Sequence, residues 1–362
     1  MLVRTVGVEE EFLLVNPETG RPVALAGAVL RSADESDGET EELTGELQNE
    51  QIETGTRPVR TLTELGKELR AARAAAREAA GAVGVAVAAL ATSPLAVEPS
   101  VSPTPRYRAL AERFGMTVDE QLTCGCHVHV AVDGDEEGVA VLDRIRPWLA
   151  PLLAVTGNSP FWQGRDSGYA SFRGEVWQRW PSAGGYQTFG SAAGYRAVVE
   201  EMLGTGTILD EAMLYLDARL SAQHPTVEIR VADVCLDPDD AVLLAALVRG
   251  LVETAARDWR AGVPADDVRT EVLRLASWRA ARSGVEEDLL LPGVWRPAPA
   301  VEVLDALVGY VREALEDAGD LDDVRVLLGA VLGRGTGSRT QREVAGHEGD
   351  LAAVVAEAAR RT

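Results

Sequence analysis

The stretch Gly7-Val8-Glu9-Glu10-Glu11-Phe12 sets three carboxylates in a row inside a segment whose other residues are typical of a protein core. Apolar residues precede and follow it, and such a run favours a β-strand. Because strand side chains alternate between two faces, Glu9 and Glu11 share one face while Glu10 joins Val8 on the other. Neighbouring carboxylates repel each other, and burying them is costly without compensation. We therefore predict a cation at Glu9 and Glu11, and a structural partner such as an arginine for Glu10.

The composition of the 362 residues, with 46% hydrophobic and 25% charged residues, is typical of a soluble globular protein. No apolar run reaches about 18 residues, so we expect no membrane span. The chain does not open with the basic and apolar regions of a secretory signal. The three cysteines do not make a disulfide framework, which favours a reducing, cytoplasmic setting.

The formal charge of −22 argues against nucleic acid or an anionic membrane as a partner. It leaves room for an anionic small molecule that is held by local arginines and a metal. The only lysine, Lys67, has no glycine loop before it and no serine or threonine after it, which excludes a Walker A phosphate loop. The scarcity of lysine also argues against Schiff-base chemistry.

Strand patterns are concentrated before residue 235, and helical patterns fill the chain after it. The strands are predicted at 2–15, 83–90, 124–132, 214–221 and 226–232. The later helices are predicted at 239–260, 265–281, 300–317, 321–332 and 341–360. This segregation predicts an α+β fold with an antiparallel or mixed sheet. We expect a single domain over 1–362 that is sheet-rich over 1–235 and helical over 236–362.

Four helices are expected among the strands. A capping box at Thr61 and Glu64 opens one that continues to about Ala80. The others are predicted at 107–114, at 136–155 with bends at its two prolines, and at 191–203. Loops are expected at 31–45, which is acidic, and at 157–190, which is long and rich in aromatic residues and arginine. A loop of that length in a compact domain is usually functional.

Two further strands carry polar side chains on one face. In the strand 124–132, His127 and His129 lie on one face while Cys124 and Cys126 lie on the other. A zinc site built from all four is therefore geometrically poor, and we interpret the cysteines as small core residues. In the strand 226–232, Glu228 and Arg230 share a face while the alternating valines and isoleucine point to the core.

The same alternation places Tyr215, Asp217 and Arg219 on one face of the strand 214–221. The segment 46–53 admits two interpretations. A helix would align Glu46, Glu50 and Glu53, whereas a strand would place Glu53 with Gln51. The turn residues that follow, Thr54 to Pro58, favour a strand that runs into a turn.

A single strand with a solvated polar face is ordinary, but the combination of carboxylates and histidines on several strands is not. Carboxylate and imidazole groups suit Mg²⁺ or Mn²⁺. Several carboxylates together with arginines suit a nucleotide whose phosphates bridge divalent ions.

Five motifs in order then resemble a known family. They are Gly7-Val8-Glu9-Glu10-Glu11-Phe12, Gln51-Ile52-Glu53-Thr54, Cys124-Gly-Cys-His127-Val-His129-Val, Ser171-Phe172-Arg173 and Pro225-Thr-Val-Glu228-Ile-Arg230-Val-Ala-Asp233. The chain resembles, from about residue 3 to 355, the carboxylate–amine ligases of the type 2 glutamate–cysteine ligase group, within the glutamine synthetase-like superfamily.

The resemblance implies one catalytic domain with an antiparallel sheet bent into a funnel, helices on its outer side and the active site within. It implies ATP and Mg²⁺, or Mn²⁺ in its place. The positions that match the metal ligands of the family are Glu9, Glu11, Glu53, His127 and Glu228. Arg173 and Arg230 match contacts to phosphate or to the substrate carboxylate and would be the catalytic arginines, and His129 is a candidate nucleotide contact. Arg179, Tyr215 and Arg219 are candidates for the lining of the site.

The implied reaction has two steps, in which a carboxylate takes the γ-phosphate of ATP and an amine then displaces the phosphate to form an amide. The substrates are expected to be small molecules, most simply amino acids, with glutamate and cysteine suggested by the family. Apolar faces on the C-terminal helices would permit a homo-oligomer. Two alternatives stay open, namely a metal-dependent hydrolase and a non-catalytic nucleotide-binding protein.

Overall fold

The structure is a computed structural model that describes residues 3–34 and 43–362. Its centre is a seven-stranded sheet in which all strand pairs are antiparallel, with the order β2-β3-β1-β5-β9-β8 and with β4 beside the second half of β1. The strands of this sheet are β1 Val6–Val15, β2 Leu43–Gly45, β3 Gln51–Gly55, β4 Ala86–Ala88, β5 Gly125–Ala131, β8 Ala218–Leu220 and β9 Thr226–Asp233. Two small hairpins pair β6 Phe161–Trp162 with β7 Arg165–Asp166, and β10 Asp288–Leu290 with β11 Pro297–Pro299. The predicted α+β class is confirmed.

Helices surround the sheet and dominate the chain after β9. The helices before β9 are α1 Ala26–Asp34, α2 Leu62–Ala82, α3 Pro105–Phe114, α4 Met116–Asp119, α5 Asp135–Ile145, α6 Leu149–Val155, α7 Phe172–Trp177 and α8 Ala192–Gly204. Those after it are α9 Pro238–Arg260, α10 Thr270–Ser283, α11 Ala300–Tyr310, α12 Arg312–Ala318, α13 Leu321–Arg334, α14 Gly337–Ala345 and α15 Leu351–Arg361. Short 3₁₀ turns cover Arg146–Trp148 and Glu211–Met213. Within the described residues, no helix combines the length and the apolar character that crossing a membrane requires.

The apolar face of the sheet packs on the long helix α9. Val8, Val128 and Ile229 come from three adjacent strands, are almost fully buried and share one core cluster with the apolar residues of α9. Burial of this face removes apolar surface from water, which is the main driving force for placing the sheet. The opposite face is left for polar side chains.

Strand β1 separates its carboxylates as the alternation predicts. Glu10 lies on the core face, where it is 1% exposed and accepts hydrogen bonds from the guanidinium of Arg73 at 2.6 and 2.9 Å. Arg73 comes from α2, is equally buried and also donates to the carbonyl of Cys235 at 2.7 Å. The predicted structural partner of Glu10 is thus confirmed as an arginine.

Strand β9 departs from simple alternation at a bulge. Val128 of β5 pairs with Ile229, but Cys126 pairs with Ala232, so β9 has one extra residue between these two points. Val231 is only half-buried and lines a cavity beside the sheet. Val231 also packs against the core clusters, so the prediction that it points to the core is confirmed in part, while the bulge, which shifts the side-chain alternation, leaves part of its surface in the cavity.

Other element predictions differ in extent. The predicted strand 214–221 is reduced to β8, and the predicted strand 83–90 to β4. The helix expected at 136–155 is divided by a 3₁₀ turn at Pro147, because proline lacks an N–H and crowds the preceding turn. The C-terminal predictions 300–317 and 341–360 each contain two helices, and the β10–β11 hairpin was not predicted.

The loop expected at 31–45 begins as the end of α1 and ends as β2, and its part over 35–42 lies outside the described residues. Residue 2 of the predicted first strand lies outside them as well. The long segment 157–190 contains the β6–β7 hairpin and the short helix α7, where the structure places Arg173.

Candidate functional site

A cavity of about 330 Å³ opens on the polar face of the sheet. It is lined by side chains from β1, β3, β5, β8 and β9 and by part of the segment 157–190. The residues predicted from the sequence that line it are Glu9, Glu11, Glu53, His127, His129, Glu228 and Arg230. Strand pairing alone brings together residues that are up to about two hundred positions apart in the sequence.

The register of the strands sets these side chains opposite one another. Glu11 of β1 is paired with Glu53 of β3, and Glu9 is paired with His127 of β5. His129 is paired in turn with Glu228 of β9. Directly paired residues on one sheet face have their side chains in contact range. The polar row is therefore continuous across four strands.

The carboxylates and imidazoles form three overlapping groups whose ligand atoms lie within 4.8 Å of one another. The groups are Glu11 with Glu46 and Glu53, Glu9 with Glu53 and His127, and Glu9 with His129 and Glu228. Oxygen-rich sets with one imidazole suit Mg²⁺ or Mn²⁺. The five residues predicted as metal ligands all occur in these groups.

Both histidines keep a ring nitrogen available. The Nε2 atoms of His127 and His129 are buried and have no hydrogen-bond partner among the described residues. The Nε2 of His129 lies 3.2 Å from Oε1 of Glu9, but the contact lacks hydrogen-bond geometry, and its Nδ1 lies 3.0 Å from the hydroxyl of Thr226. Burial, together with the charge of Arg230, lowers the pKa of His127 and so keeps its imidazole neutral. A neutral imidazole with a free nitrogen fits a metal ligand.

Crowded carboxylates dominate the electrostatics at β3. Burial and the charge of Glu11 raise the pKa of Glu46 to about 8. Burial also raises the pKa of Glu53 well above its usual range, with further repulsion from Glu46 and Glu9. Each of the three carboxylates accepts one hydrogen bond from a neutral donor, namely the Thr44 hydroxyl to Glu53 at 3.3 Å, the Leu47 N–H to Glu46 at 3.4 Å and the Gly125 N–H to Glu11 at 2.6 Å. The three carboxylates of this group therefore call for a cation.

Glu9 and Glu228 are ionised for different reasons. Burial raises the pKa of Glu9, but its contacts with His127 and His129 outweigh burial and lower it. Burial also opposes the charge of Glu228, yet Arg230 and Arg219 hold its pKa far below the usual range. Arg219 donates to Glu228 through Nε at 2.7 Å, and Arg230 forms a second ion pair with it.

Glu46 was missed as a site residue. The helical interpretation of 46–53 grouped it with Glu50 and Glu53, whereas the strand interpretation left it out. In the structure Glu46 precedes β3 and lies beside Glu11 and Glu53. Glu50 points elsewhere, since both of its carboxylate oxygens accept from the backbone N–H of Ser100 at 3.0 to 3.1 Å.

Arg173 lies beside the cavity rather than among its lining residues. Its side chain is 2% exposed and donates to the carbonyls of Arg230 and Val231 at 3.3 Å, next to the bulge of β9. Asp233, which accepts from Asn158, Ser159 and Ser171, is 3.9 Å away. Arg173 lines a second cavity of about 480 Å³.

The other polar residues that were considered for the lining of the site do not all line the same cavity. Tyr215 and Arg219 line the first cavity. Asp217 lines the second, so the expectation that all three share one face is wrong. The reason is that the strand is too short to impose its alternation before residue 218. Arg179 pairs with Glu120 and lines neither cavity.

Trp177 and Trp180 close the first cavity against Tyr215. Their rings lie 4.9 and 5.2 Å from the tyrosine ring, and Arg230 is 5.9 Å from the Trp177 ring. The segment 157–190 thus contributes an aromatic wall to the cavity.

Known proteins resemble this chain in sequence over its whole length. The sequence profile of the family described as Glutamate-cysteine ligase family 2 matches residues 5–357. A relative from Streptomyces avermitilis is 54% identical over 360 residues, which cover 99% of each chain, and it carries a provisional name as glutamate–cysteine ligase 2-1.

Two solved structures have the same fold at low sequence identity. A bifunctional glutathione synthetase from Pasteurella multocida matches with a TM-score of 0.69 and 15% identity, covering 99% of this chain and 52% of that one. A glutamate–cysteine ligase from Francisella tularensis in complex with AMP matches with a TM-score of 0.66 and 14% identity, covering 100% and 88%. The chain therefore belongs to glutamate–cysteine ligase family 2 and is an ATP-dependent carboxylate–amine ligase that forms an amide bond.

Proposed function

We propose that this ligase joins a carboxyl group of glutamate to the amine of cysteine, with ATP and Mg²⁺ bound at the first cavity. The observation that carries the proposal is the row of paired acidic and imidazole side chains across four strands. The provisional names of the relatives supply the choice of the two amino acids. The metal-dependent hydrolase alternative would use the same two histidines and carboxylates, and the names of the relatives favour the ligase over it.

Divalent ions fit the three groups of ligand atoms. Glu11, Glu46 and Glu53 would hold one ion. Glu9, with His127 or with His129 and Glu228, would hold the others. Such ions, when bound, supply positive charge that offsets the repulsion between a substrate carboxylate and the phosphates of ATP.

The side chains of the protein provide positioning and charge. Arg230 lies in the cavity with one nitrogen paired to Glu228, while its Nε has no partner among the described residues. We assign to Arg230 the stabilisation of the negative charge that develops on the transferring phosphoryl group, a role that fixed cationic donors fulfil. His129 also lines a third cavity, together with Thr226 and Arg57. We assign it a contact with the nucleotide.

The direct contact between Arg173 and a ligand stays a prediction. Its observed neighbours give it a positioning role, because it holds the carbonyls of Arg230 and Val231 at the bulge. The wall formed by Trp177 and Trp180 would exclude water, which otherwise hydrolyses an acyl phosphate.

Substitution of the metal ligands tests the proposal. Glu53→Gln and Glu9→Gln should each lower the turnover by at least about a hundredfold, the scale of losing one strong transition-state contact. The assay is release of ADP from ATP with Mg²⁺, glutamate and cysteine, with the dipeptide product measured in parallel.

The matched control is Glu50→Gln, which removes a buried carboxylate of the same segment but keeps an acceptor for Ser100. Its turnover should stay near that of the wild type. Full activity in both the Glu9 and the Glu53 variant would contradict the assignment of these residues as metal ligands. Hydrolysis of the dipeptide or of another amide without ATP would favour the hydrolase, and ATP binding without turnover on a panel of amino acids would favour the non-catalytic protein.

We also place the protein in the cytoplasm, because Cys124, Cys126 and Cys235 are free and buried. Thiols in that state suit a reducing compartment. A homo-oligomer stays a prediction.

A further inference from the structure

The second cavity is a neighbour of the first and differs from it in character. Trp177 and Arg230 line both cavities, so they form the partition between them. Apolar side chains form much of the other walls of the second cavity, among them Leu153, Val231 and Ala281. A cavity of about 480 Å³ is within the size range of small-molecule sites.

A buried carboxylate without a partner lines this cavity. Asp217 is 9% exposed, and its carboxylate forms no hydrogen bond or ion pair with any described residue. Burial raises the pKa of Asp217 to about 7, and the nearby charge of Arg173 opposes this only in part. Arg173 does not form an ion pair with Asp217, because its guanidinium is engaged with two carbonyls and faces Asp233. An isolated buried carboxylate is costly unless a cation meets it.

The other ionisable groups of the cavity are distributed unevenly between its buried end and its rim. Glu175 also has no partner among the described residues, and burial raises its pKa. Arg274 is exposed on α10, close to the exposed rim residues Leu275 and Trp278, and it forms no ion pair within the described part of the chain. Arg173 and Arg230 also line the buried end, but their guanidinium groups face Asp233 and Glu228. Within the described residues, Asp217 is therefore the buried carboxylate of this cavity that lacks a partner, and Arg274 at the rim is a cation that lacks an ion pair.

We propose that the second cavity binds the amino acid whose amine is acylated, with its ammonium group at Asp217 and its carboxylate at Arg274. The inference deepens the proposed function and rests on it for the identity of that amino acid. It places the reacting nitrogen at the buried end, beside the partition of Trp177 and Arg230 that borders the carboxylate and phosphate site.

Calorimetric titration without ATP tests the binding directly. The probes are L-cysteine, cysteamine, which lacks the carboxylate, and 3-mercaptopropionate, which lacks the amine. The wild-type protein should bind L-cysteine best and 3-mercaptopropionate worst. Asp217→Asn should weaken the binding of L-cysteine and of cysteamine by at least about tenfold, because the neutral amide cannot form the ion pair with the ammonium group. Arg274→Gln should weaken L-cysteine but leave cysteamine unchanged.

The matched control is Arg279→Gln, which removes an arginine charge from the same helix at a position that does not line the cavity. All three affinities should therefore be unchanged. If Asp217→Asn does not fold, Ser277→Phe, which narrows the cavity from α10, should weaken all three probes. Equal affinities in the wild type, Asp217→Asn and Ser277→Phe would overturn the site.

A kinetic arm separates this inference from the proposed function. In the ADP-release assay, Asp217→Asn should raise the KM for cysteine at least about tenfold and leave the KM for glutamate unchanged, since one strong contact to the amine is lost. Lost binding with an unchanged KM for cysteine would overturn the assignment to the amine substrate. If no amino acid pair supports turnover, the proposed function fails, while the calorimetric result still decides whether the cavity binds an ammonium group.

Discussion

At the scale of single residues, the alternation of side chains along β1 gives neighbouring glutamates either a functional or a structural role. Glu9 and Glu11 face the cavity, while Glu10 is paired with Arg73 under the sheet. Three identical side chains in a row thus have two unrelated roles, and the strand pleat alone assigns them. The prediction made from the sequence that Glu10 has a structural partner is confirmed.

Glu10→Gln should destabilise the protein by about 3–5 kcal/mol, because removing one partner of a buried ion pair leaves the other charge uncompensated. Urea unfolding followed by circular dichroism measures the change. Glu9→Gln is the control one residue away and should lose turnover with little loss of stability. Equal unfolding midpoints for Glu10→Gln and the wild type would contradict the structural role of Glu10.

Asp217 makes a second prediction, which concerns stability against pH. Its pKa is 3.8 in a model peptide and about 7 in the fold, so between these values the folded state holds a proton that the unfolded state has released. The free energy of unfolding therefore falls as pH rises through this window, by at most about 4 kcal/mol at 1.36 kcal/mol per pKa unit.

Asp217→Asn removes this proton linkage. The variant should be more stable than the wild type at pH 8, and the difference should shrink towards pH 5. Thermal unfolding of both proteins across this range measures it. A difference that does not change with pH would show that Asp217 keeps an ordinary pKa.

At the scale of elements, the site depends on close approach of β5 to the segment that carries Arg173. A Cβ atom on Gly125 would collide with the guanidinium of Arg173 and lie 3.0 Å from Nε2 of His127. Glu11 also accepts from the backbone N–H of Gly125 at 2.6 Å. Glycine at the start of β5 is thus needed for space, since its backbone conformation is ordinary for a strand.

Gly125→Ala should lower the turnover by about a hundredfold, because an ångström-scale displacement of catalytic groups has effects of that size. It should also cost about 1–3 kcal/mol of stability, as overpacking does. Gly55→Ala on β3 is the stability control, since a Cβ there meets no atom within 4 Å. Wild-type turnover in Gly125→Ala would show that Arg173 and His127 can move without consequence.

At the scale of the whole molecule, the charge of −22 and the acidic cavity oppose an anionic nucleotide unless metal is present. The structure therefore predicts that ATP and Mg²⁺ stabilise the protein together. At a ligand concentration of about 100 times Kd, stabilisation is about 2.7 kcal/mol.

Thermal melting with ATP, with Mg²⁺ and with both measures this coupling. The increase in Tm with both should exceed the sum of the separate increases, and EDTA should abolish the excess. Glu53→Gln should lose most of it, whereas Glu50→Gln should keep it. An ATP effect that is unchanged by EDTA would contradict a metal-bridged nucleotide.

The amino-acid sequence by itself determined the features that depend on local alternation and on order along the chain. These are the polar face shared by Glu9, Glu11 and His127, the core side of Cys126, and the position of the strands of the main sheet before residue 235. Side-chain parity within one regular strand needs no knowledge of its neighbours, and five ordered motifs carry the family resemblance.

Only the tertiary structure decided what depends on partners distant in sequence. Glu46 joins the site because it follows β2, which pairs with β3 beside β1, and Val231 borders the second cavity because β9 has an extra residue opposite β5. Asp217 lies in the second cavity because β8 is too short to continue its alternation. Bulges, strand ends and register are properties of pairs of strands, and a pattern along one strand does not contain them.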